Sequence, residues 1–340
     1  TSLESFYIDS GVTTIGNNAF NGCSKLERLN SEDVGSFVIP NHVTSIGSAV
    51  FSGCIKMKSL TIPFPGHTAT STDSEAMFGY IFGSTSYTGG NAVNQTYSSG
   101  FGCDQTFYLP PLLRDVTVTN TTQLNYGAFD QCAQLTAINL CDGIVTAGAY
   151  AFRGCSGITE ISLPDLLSIS DGLFLNCSTL TSFTIGDMVT TVGTSAFKGC
   201  VNLSRLNSDT DGEFVIPDHV RTVGNAVFNG CIRMRSLTVP FIGESSTATN
   251  STAILGHFFG SADYNGSTAV QQTYSSGFGA HTTVYIPSQL TSVKVTKAST
   301  ISYGAFNNCS MLTHVYLPSA AQGNVGTNAF EGCSAEVTYE

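Results

Sequence analysis

Charge is what this sequence has least of. Only 11% of its 340 residues are Asp, Glu, Lys or Arg, against about a quarter in an ordinary globular chain. The 13 Lys and Arg are scattered singly and the net charge is −11. With no basic stripe to neutralise phosphates, nucleic acid is an unsuitable partner, and anionic membrane surfaces are disfavoured for the same reason. Long apolar runs are missing too. None approaches the roughly 20 residues that span a bilayer, so no direct membrane insertion is expected. Among the 11 cysteines there is no C-x2-C pair, the local spacing that zinc sites favour. The low hydrophobicity and high charge of disordered chains are also absent. Ser, Thr, Asn and Gly fill the polar positions instead, giving the ordered, uncharged-polar surface that many extracellular proteins carry. The opening "TSLESFYI" reads as the tail of a repeat unit, as expected of a mature or excised fragment.

What is present is a repeat. A Phe followed three residues later by Cys occurs at Phe20, Phe51, Phe129, Phe152, Phe174, Phe197, Phe228, Phe306 and Phe330, which places nine of the eleven cysteines in one slot. Around each anchor runs V-x-x-I-G-x-x-A-F-x-x-C-x-x-L-x-x-L-x-I-P, seen in Val43, Ile46, Gly47, Val50, Phe51, Cys54, Met57, Leu60, Ile62 and Pro63. Each unit supplies two short alternating segments suited to strands, joined by a turn too short for more than a 3-10 or single helical turn. One unit cannot bury its own apolar face, whereas stacked units can.

Anchor spacings run 31, 78, 23, 22, 23, 31, 78 and 24. The basic period of about 23 lies in the range of leucine-rich repeats, roughly 20–29. The recurrence of 31, 78 and then 23 or 24 reveals a block duplication with an offset of 177 residues. We therefore expect one array over residues 1–340, duplicated as about 1–177 and 178–340. Long insertions are expected at about 64–107 and 241–283, both ending near "QTYSSGFG". After each, "FYLPPLLRDVTV" and "VYIPSQLTSVKV" look like another rung. A shorter excess of eight residues, "LNSEDVGSF" and "LNSDTDGEF", reads as a solvated acidic turn.

The unit "IPNHVTSIGSAVFSGCIKMKSLTIP" resembles the BspA-type leucine-rich repeat of bacterial cell-surface proteins, and the likeness covers nearly the whole chain. Departures are few: Cys141 and Gly186 stand for the Pro, and Asn125, Ser170 and Ser302 for the Gly. The resemblance implies a mainly-β, right-handed leucine-rich-repeat solenoid with one parallel strand per repeat, short second strands and 3-10 or helical turns. It further implies an extracellular or cell-surface protein used for adhesion.

Several residues invite a chemical reading. Cysteines of adjacent rungs would lie about 4.8 Å apart, inside the Cα range for disulfides, but their Cβ vectors run parallel. A column of buried thiols acting as small hydrophobes is preferred to a disulfide ladder or a metal site. His42 and His219 recur 12 residues before Cys54 and Cys231, across the width of a coil and so beyond the reach of a Cys-His nucleophile. They are expected as turn residues. The acidic loop lacks the spacing of a calcium loop, and the Gly-rich strings do not open a helix as a nucleotide loop must. No catalytic residue, metal ligand or cofactor is assigned.

Two surfaces are candidates for ligand binding. One is the outward strand face, expected to be small and uncharged-polar and represented by Ser59, Thr61, Glu160, Thr184, Thr238 and Tyr316. The other is the set of insertion aromatics Tyr87, Tyr97, Tyr264 and Tyr274, which otherwise form a small core holding each insertion down. The expected function is non-catalytic recognition of a protein or glycan on host or other cells, by a monomer. A structural spacer is the alternative, and an enzyme with its site in an insertion comes last.

Overall fold

The computed structural model describes residues 2–277 and 279–340 and divides into two compact units, Thr1–Asp165 and Leu166–Glu340. Each is a mainly-β leucine-rich-repeat solenoid. In the first unit six strands form one parallel sheet in the order Ser5–Phe6, Arg28–Leu29, Ser36–Val38, Ser59–Ile62, Asp115–Val118 and Ala137–Leu140. Its register places Leu29, Phe37, Leu60, Val116 and Ile138 in one buried row. The second unit builds seven strands in the same way, with Phe183, Leu206, Phe214, Leu237, Val293 and Val315 in the equivalent row. Alternation along these short strands sends one side chain into the core and the next outward.

Two of these rungs correct the sequence reading. The eight-residue excess is more than a solvated turn, because its second half re-enters the sheet as Ser36–Val38 and Glu213–Val215. Phe37 and Phe214 become fully buried there, each edge-on to an anchor Phe. Conversely, the segment around Glu160 lies outside the named strands, although Ile161 and Leu163 are buried in the expected alternation.

Opposite each sheet, short second strands pair in parallel, such as Thr14–Ile15 with Ser45–Ile46 and Thr191–Val192 with Thr222–Val223. The turn between the two sides carries the anchor. At every anchor the residues two before and two after the Phe have positive φ, from Asn18 (59°) and Gly22 (73°) through Asn328 (58°) and Gly332 (70°). This bracket aims the Phe inward and turns its backbone N–H toward the next rung. Phe20 donates to the Val50 carbonyl at 3.0 Å, Phe129 to Ala151 at 2.8 Å and Phe306 to Ala329 at 2.8 Å. The rings then stack, Phe20 on Phe51 at 5.8 Å and Phe306 on Phe330 at 5.0 Å between centroids. Burying each ring contributes about 1.5–3 kcal/mol, and each ring pair about 0.5–1.5 kcal/mol more.

The cysteine slot runs alongside. All eleven cysteines are free thiols. In the column, Cys54, Cys155, Cys200 and Cys231 each place Sγ within hydrogen-bonding distance (3.1–3.4 Å) of the Phe carbonyl of the preceding rung. The slot therefore selects a small side chain that also carries a weak donor.

Candidate recognition surface

The insertions are folded substructures rather than loops. Each begins with short 3-10 turns, Phe78–Ile81 in the first and Leu255–Phe258 in the second. It then forms the antiparallel hairpin Asn91–Thr96 with Asp104–Leu109, or Ser267–Thr273 with His281–Pro287. The 3-10 turn takes the place of an anchor. Phe51 N–H donates to the Ile81 carbonyl, Phe228 N–H to Phe258, and Phe78 N–H to Ala128. Phe82 and Phe78 fill the gap in the ring ladder between Phe51 and Phe129, with centroid distances of 6.4, 5.1 and 5.1 Å.

A buried Gln clamps each hairpin to this turn. Gln95 Oε1 accepts from Gly79 N–H at 2.7 Å while its Nε2 donates to the Ala128 carbonyl at 3.3 Å. Gln272 repeats both bonds with Gly256 and Ala305 at the same distances. Both Gln side chains are fully buried, so each bond made is one that water cannot replace. The hairpin end then presses on the next anchor turn. A Cβ on Gly127 would sit 1.8 Å from the Thr96 carbonyl oxygen, and one on Gly304 1.6 Å from that of Thr273. Only glycine fits there, and both have positive φ.

The insertion tyrosines divide into two kinds. Tyr87 and Tyr264 are half-buried, and each hydroxyl donates to a backbone carbonyl, of Tyr108 and Tyr285, at 3.0 Å. Burial raises both phenols above their ordinary value. Tyr97 and Tyr274 stand at the hairpin ends, half-buried, with their backbone N–H groups bonded to Cys103 and Ala280. Beyond Tyr97 the hairpin tip presents Phe101, which is fully exposed.

On the sheet face, Ser59 aligns with Asp115 and Ala137, and Thr61 with Thr117 and Asn139. Ser59 and Thr61 are half-buried among their neighbours. In the second unit Thr238 aligns with Lys294, Tyr316 and Thr338. Thr184 lies just beyond the strand Ser182–Phe183 and is exposed, as is Glu160. The face there is more charged than the outward positions of the anchored rungs imply. Lys294 pairs with Glu340 at 2.5 Å and His314 lies 3.8 Å from Glu336. The same face also carries Arg28 and Asp115 in the first unit and Arg205 and Glu213 in the second.

The matched Cys and His residues do not meet. His42 Nε2 bonds the Asp9 carbonyl and His219 Nε2 the Gly186 carbonyl, both at 3.2 Å. Each ties one rung to the turn of the rung before. Burial pushes the Cys54 thiol up to about 12, which keeps it protonated. Among the described residues there is no group of three or more His, Cys, Asp and Glu placed to hold a metal, and no helix long and apolar enough to cross a membrane.

Stacked Phe-Cys turns beside a parallel sheet agree with the comparison to known families. The family model for the BspA type leucine rich repeat region (6 copies) matches residues 1–36, 29–106, 103–212 and 207–336. The chain belongs to this family. No curated protein matches it. Among solved structures, a leucine-rich repeat protein from Bacteroides ovatus is similar at 22% identity and a TM-score of 0.50, over 98% of this chain and 65% of that one. This BspA-type chain thus spans about two thirds of that protein's length and shares its fold. A leucine rich cell surface protein from Faecalibacterium prausnitzii is 18% identical over 99% and 88% of the two chains, with a TM-score of 0.36. The pneumococcal vaccine antigen PcpA is 15% identical over 99% and 79%, with a TM-score of 0.34.

Proposed function

We propose that this BspA-type chain is a non-catalytic recognition module of a cell-surface protein, acting as a monomer in adhesion to a protein or glycan on host or other cells. The observation that carries this reading is the exposed face of the parallel sheets. In each unit its outward positions carry hydroxyls, Ser36, Ser59, Thr61 and Thr117 in the first and Ser236, Thr238 and Ser292 in the second, interspersed with Asp115, Glu213 and Lys294, and so offer donors and acceptors at strand spacing on a rigid support. Extended solenoid faces of this kind suit macromolecular partners. The extracellular setting follows the family, whose repeats occur in surface proteins.

The test is a binding screen of the chain against immobilised matrix proteins and glycans. It is repeated with Thr61→Arg and Thr238→Arg, which place a bulky charge on the face of each unit. Capture that either substitution weakens by about tenfold, the equivalent of about 1.4 kcal/mol, supports the sheet face. A screen without any partner favours the structural spacer. Capture indifferent to both substitutions moves the binding surface elsewhere.

A further inference from the structure

The two insertions share one frame, yet only some of their side chains are the same size. Where the first carries Tyr80, Gln105 and Phe107, the second carries His257, Thr282 and Val284 at the 177-residue offset. Beside these smaller residues the second unit holds a cavity of about 250 Å³. That is just under the roughly 300 Å³ at which drug-sized pockets begin. Its polar lining is His257, Asn225, Ser251, Thr252, Ser261 and Thr282, and no lining residue is an acid or a basic Lys or Arg.

His257 gives the cavity a direction. The residue is only 5% exposed. Its Nε2 lies 2.9 Å from the Val223 carbonyl, and a carbonyl can only accept, so Nε2 carries the proton. Burial holds the ring below its ordinary value and therefore neutral near pH 7. Nδ1 is then left as an acceptor with no partner among the described residues. Among the described residues the fully buried side-chain nitrogens without partners are Arg28 Nε and Arg205 Nε, so His257 Nδ1 is not fully sealed, and its residue lines the cavity. Asn225 spends its Nδ2 on the His257 carbonyl at 3.3 Å, which leaves its Oδ1 as a second acceptor.

We propose that this cavity binds a single neutral sugar residue. An uncharged, hydroxyl-rich lining over the apolar Val284 suits a ligand with many O–H groups and one apolar ring face. A charged ligand would be desolvated without a counter-ion, at a cost the lining cannot offset. An apolar ligand would leave the Nδ1 acceptor and the hydroxyls unpaired. The site is separate from the sheet face, and the first unit carries the larger Tyr80 and Phe107 at the positions of His257 and Val284.

The test uses the whole chain with its histidines labelled with nitrogen-15. Methyl glycosides of glucose, galactose, mannose and N-acetylglucosamine are titrated while the His257 Nδ1 resonance is followed. In a second arm the same sugars are presented at the end of trisaccharides. We expect one or more glycosides to move the Nδ1 resonance saturably. Tighter binding of the trisaccharide assigns the source as a glycan end, and equal binding a free sugar. The double variant His257→Tyr/Val284→Phe, which installs the first unit's side chains, should weaken binding at least about tenfold, as loss of a buried hydrogen bond predicts. Thr282→Gln, a substitution at a half-exposed position where the first unit already has Gln, should weaken it similarly without risk to the fold. A His257 resonance that no sugar moves, or binding unchanged in Thr282→Gln, overturns the proposal. Either result leaves the sheet-face screen unaffected.

Discussion

The two insertions show what a duplicated frame preserves and what it releases. In both, a buried Gln ties the hairpin to a 3-10 turn, and a Tyr hydroxyl ties the chain between them to the hairpin backbone. These bonds satisfy buried backbone groups, so neither copy can lose them cheaply. The anchoring of the hairpin end differs. In the first unit Asp130 accepts from Thr96 N–H at 2.9 Å and pairs with Arg153 at 2.5–2.7 Å. Arg153 also donates to Thr96 Oγ1 and lies 5.0 Å from the Tyr150 ring centre. The second unit keeps the backbone contact with a neutral Asn307, which accepts from Thr273 N–H at 3.0 Å and donates to the Glu331 carbonyl at 3.1 Å. The shared element is an acceptor aimed at one N–H, while its charge is free to vary.

Four experiments press on this comparison. The largest effect concerns what the units have in common. The thiols of Cys54, Cys132, Cys200, Cys231 and Cys309 are raised by burial, so the stability they contribute is complete below the unfolded thiol value of about 8.5. As pH rises above that value, each removes about 1.4 kcal/mol per pH unit until its folded value is reached. We expect cooperative alkaline unfolding by circular dichroism, coincident with thiolate absorbance at 240 nm. Absorbance appearing well before unfolding would show that the column is accessible.

The second experiment separates the two hairpin anchors. Asp130→Ala strands Arg153 beside an unpaired N–H and should cost about 3–5 kcal/mol. Asn307→Ala strands neutral groups and should cost about 1–3 kcal/mol, both read by urea denaturation. Equal costs would mean that the ion pair adds nothing beyond the acceptor. The third tests the close approach that both units share. Gly127→Ala and Gly304→Ala must push the hairpin end away, costing about 1–3 kcal/mol each, with proteolysis inside the corresponding insertion as the local readout.

The smallest effect belongs to His257, whose value is lowered by burial. Its contribution is complete above the unfolded value of about 6.5 and declines as pH falls below it, by at most about 1.4 kcal/mol per pH unit. In His257→Tyr that acid sensitivity should disappear, as the first unit already has Tyr80 there. An unchanged acid limb of the stability profile would assign the sensitivity to other groups.

Much of the fold was legible because the same burial is solved again at each rung. Nine Phe-Cys anchors and the alternation around Leu60 and Leu237 mark core positions that only stacking can bury. The positive φ on both sides of each Phe was less visible. Gly22 and Gly53 announce it, but Asn176 and Gln131 adopt the same conformation without announcing it. The hairpins were hidden by their clamps. Gln95 and Gln272 lie among polar residues, Asn94 and Thr96 or Gln271 and Thr273, yet they share the inward face of Val93 and Val270 and are buried against groups 33–37 residues away. His257 carries no duplication signal, because its counterpart is Tyr80. The usable signal was the paired shrinkage from Tyr80 to His257 and from Phe107 to Val284, readable once the copies are aligned at 177 residues.

By itself, the amino-acid sequence determined the rung: its period, its inward Phe and Cys, and the duplication of the block. Those features are local, since an apolar side chain at a repeated position needs only the adjacent copy to be buried. The tertiary structure alone decided that the insertions dock as substitute rungs and that the second leaves a cavity beside His257. Both outcomes depend on hydrogen-bond partners and side-chain volumes brought together from segments far apart in the chain, where no period relates them.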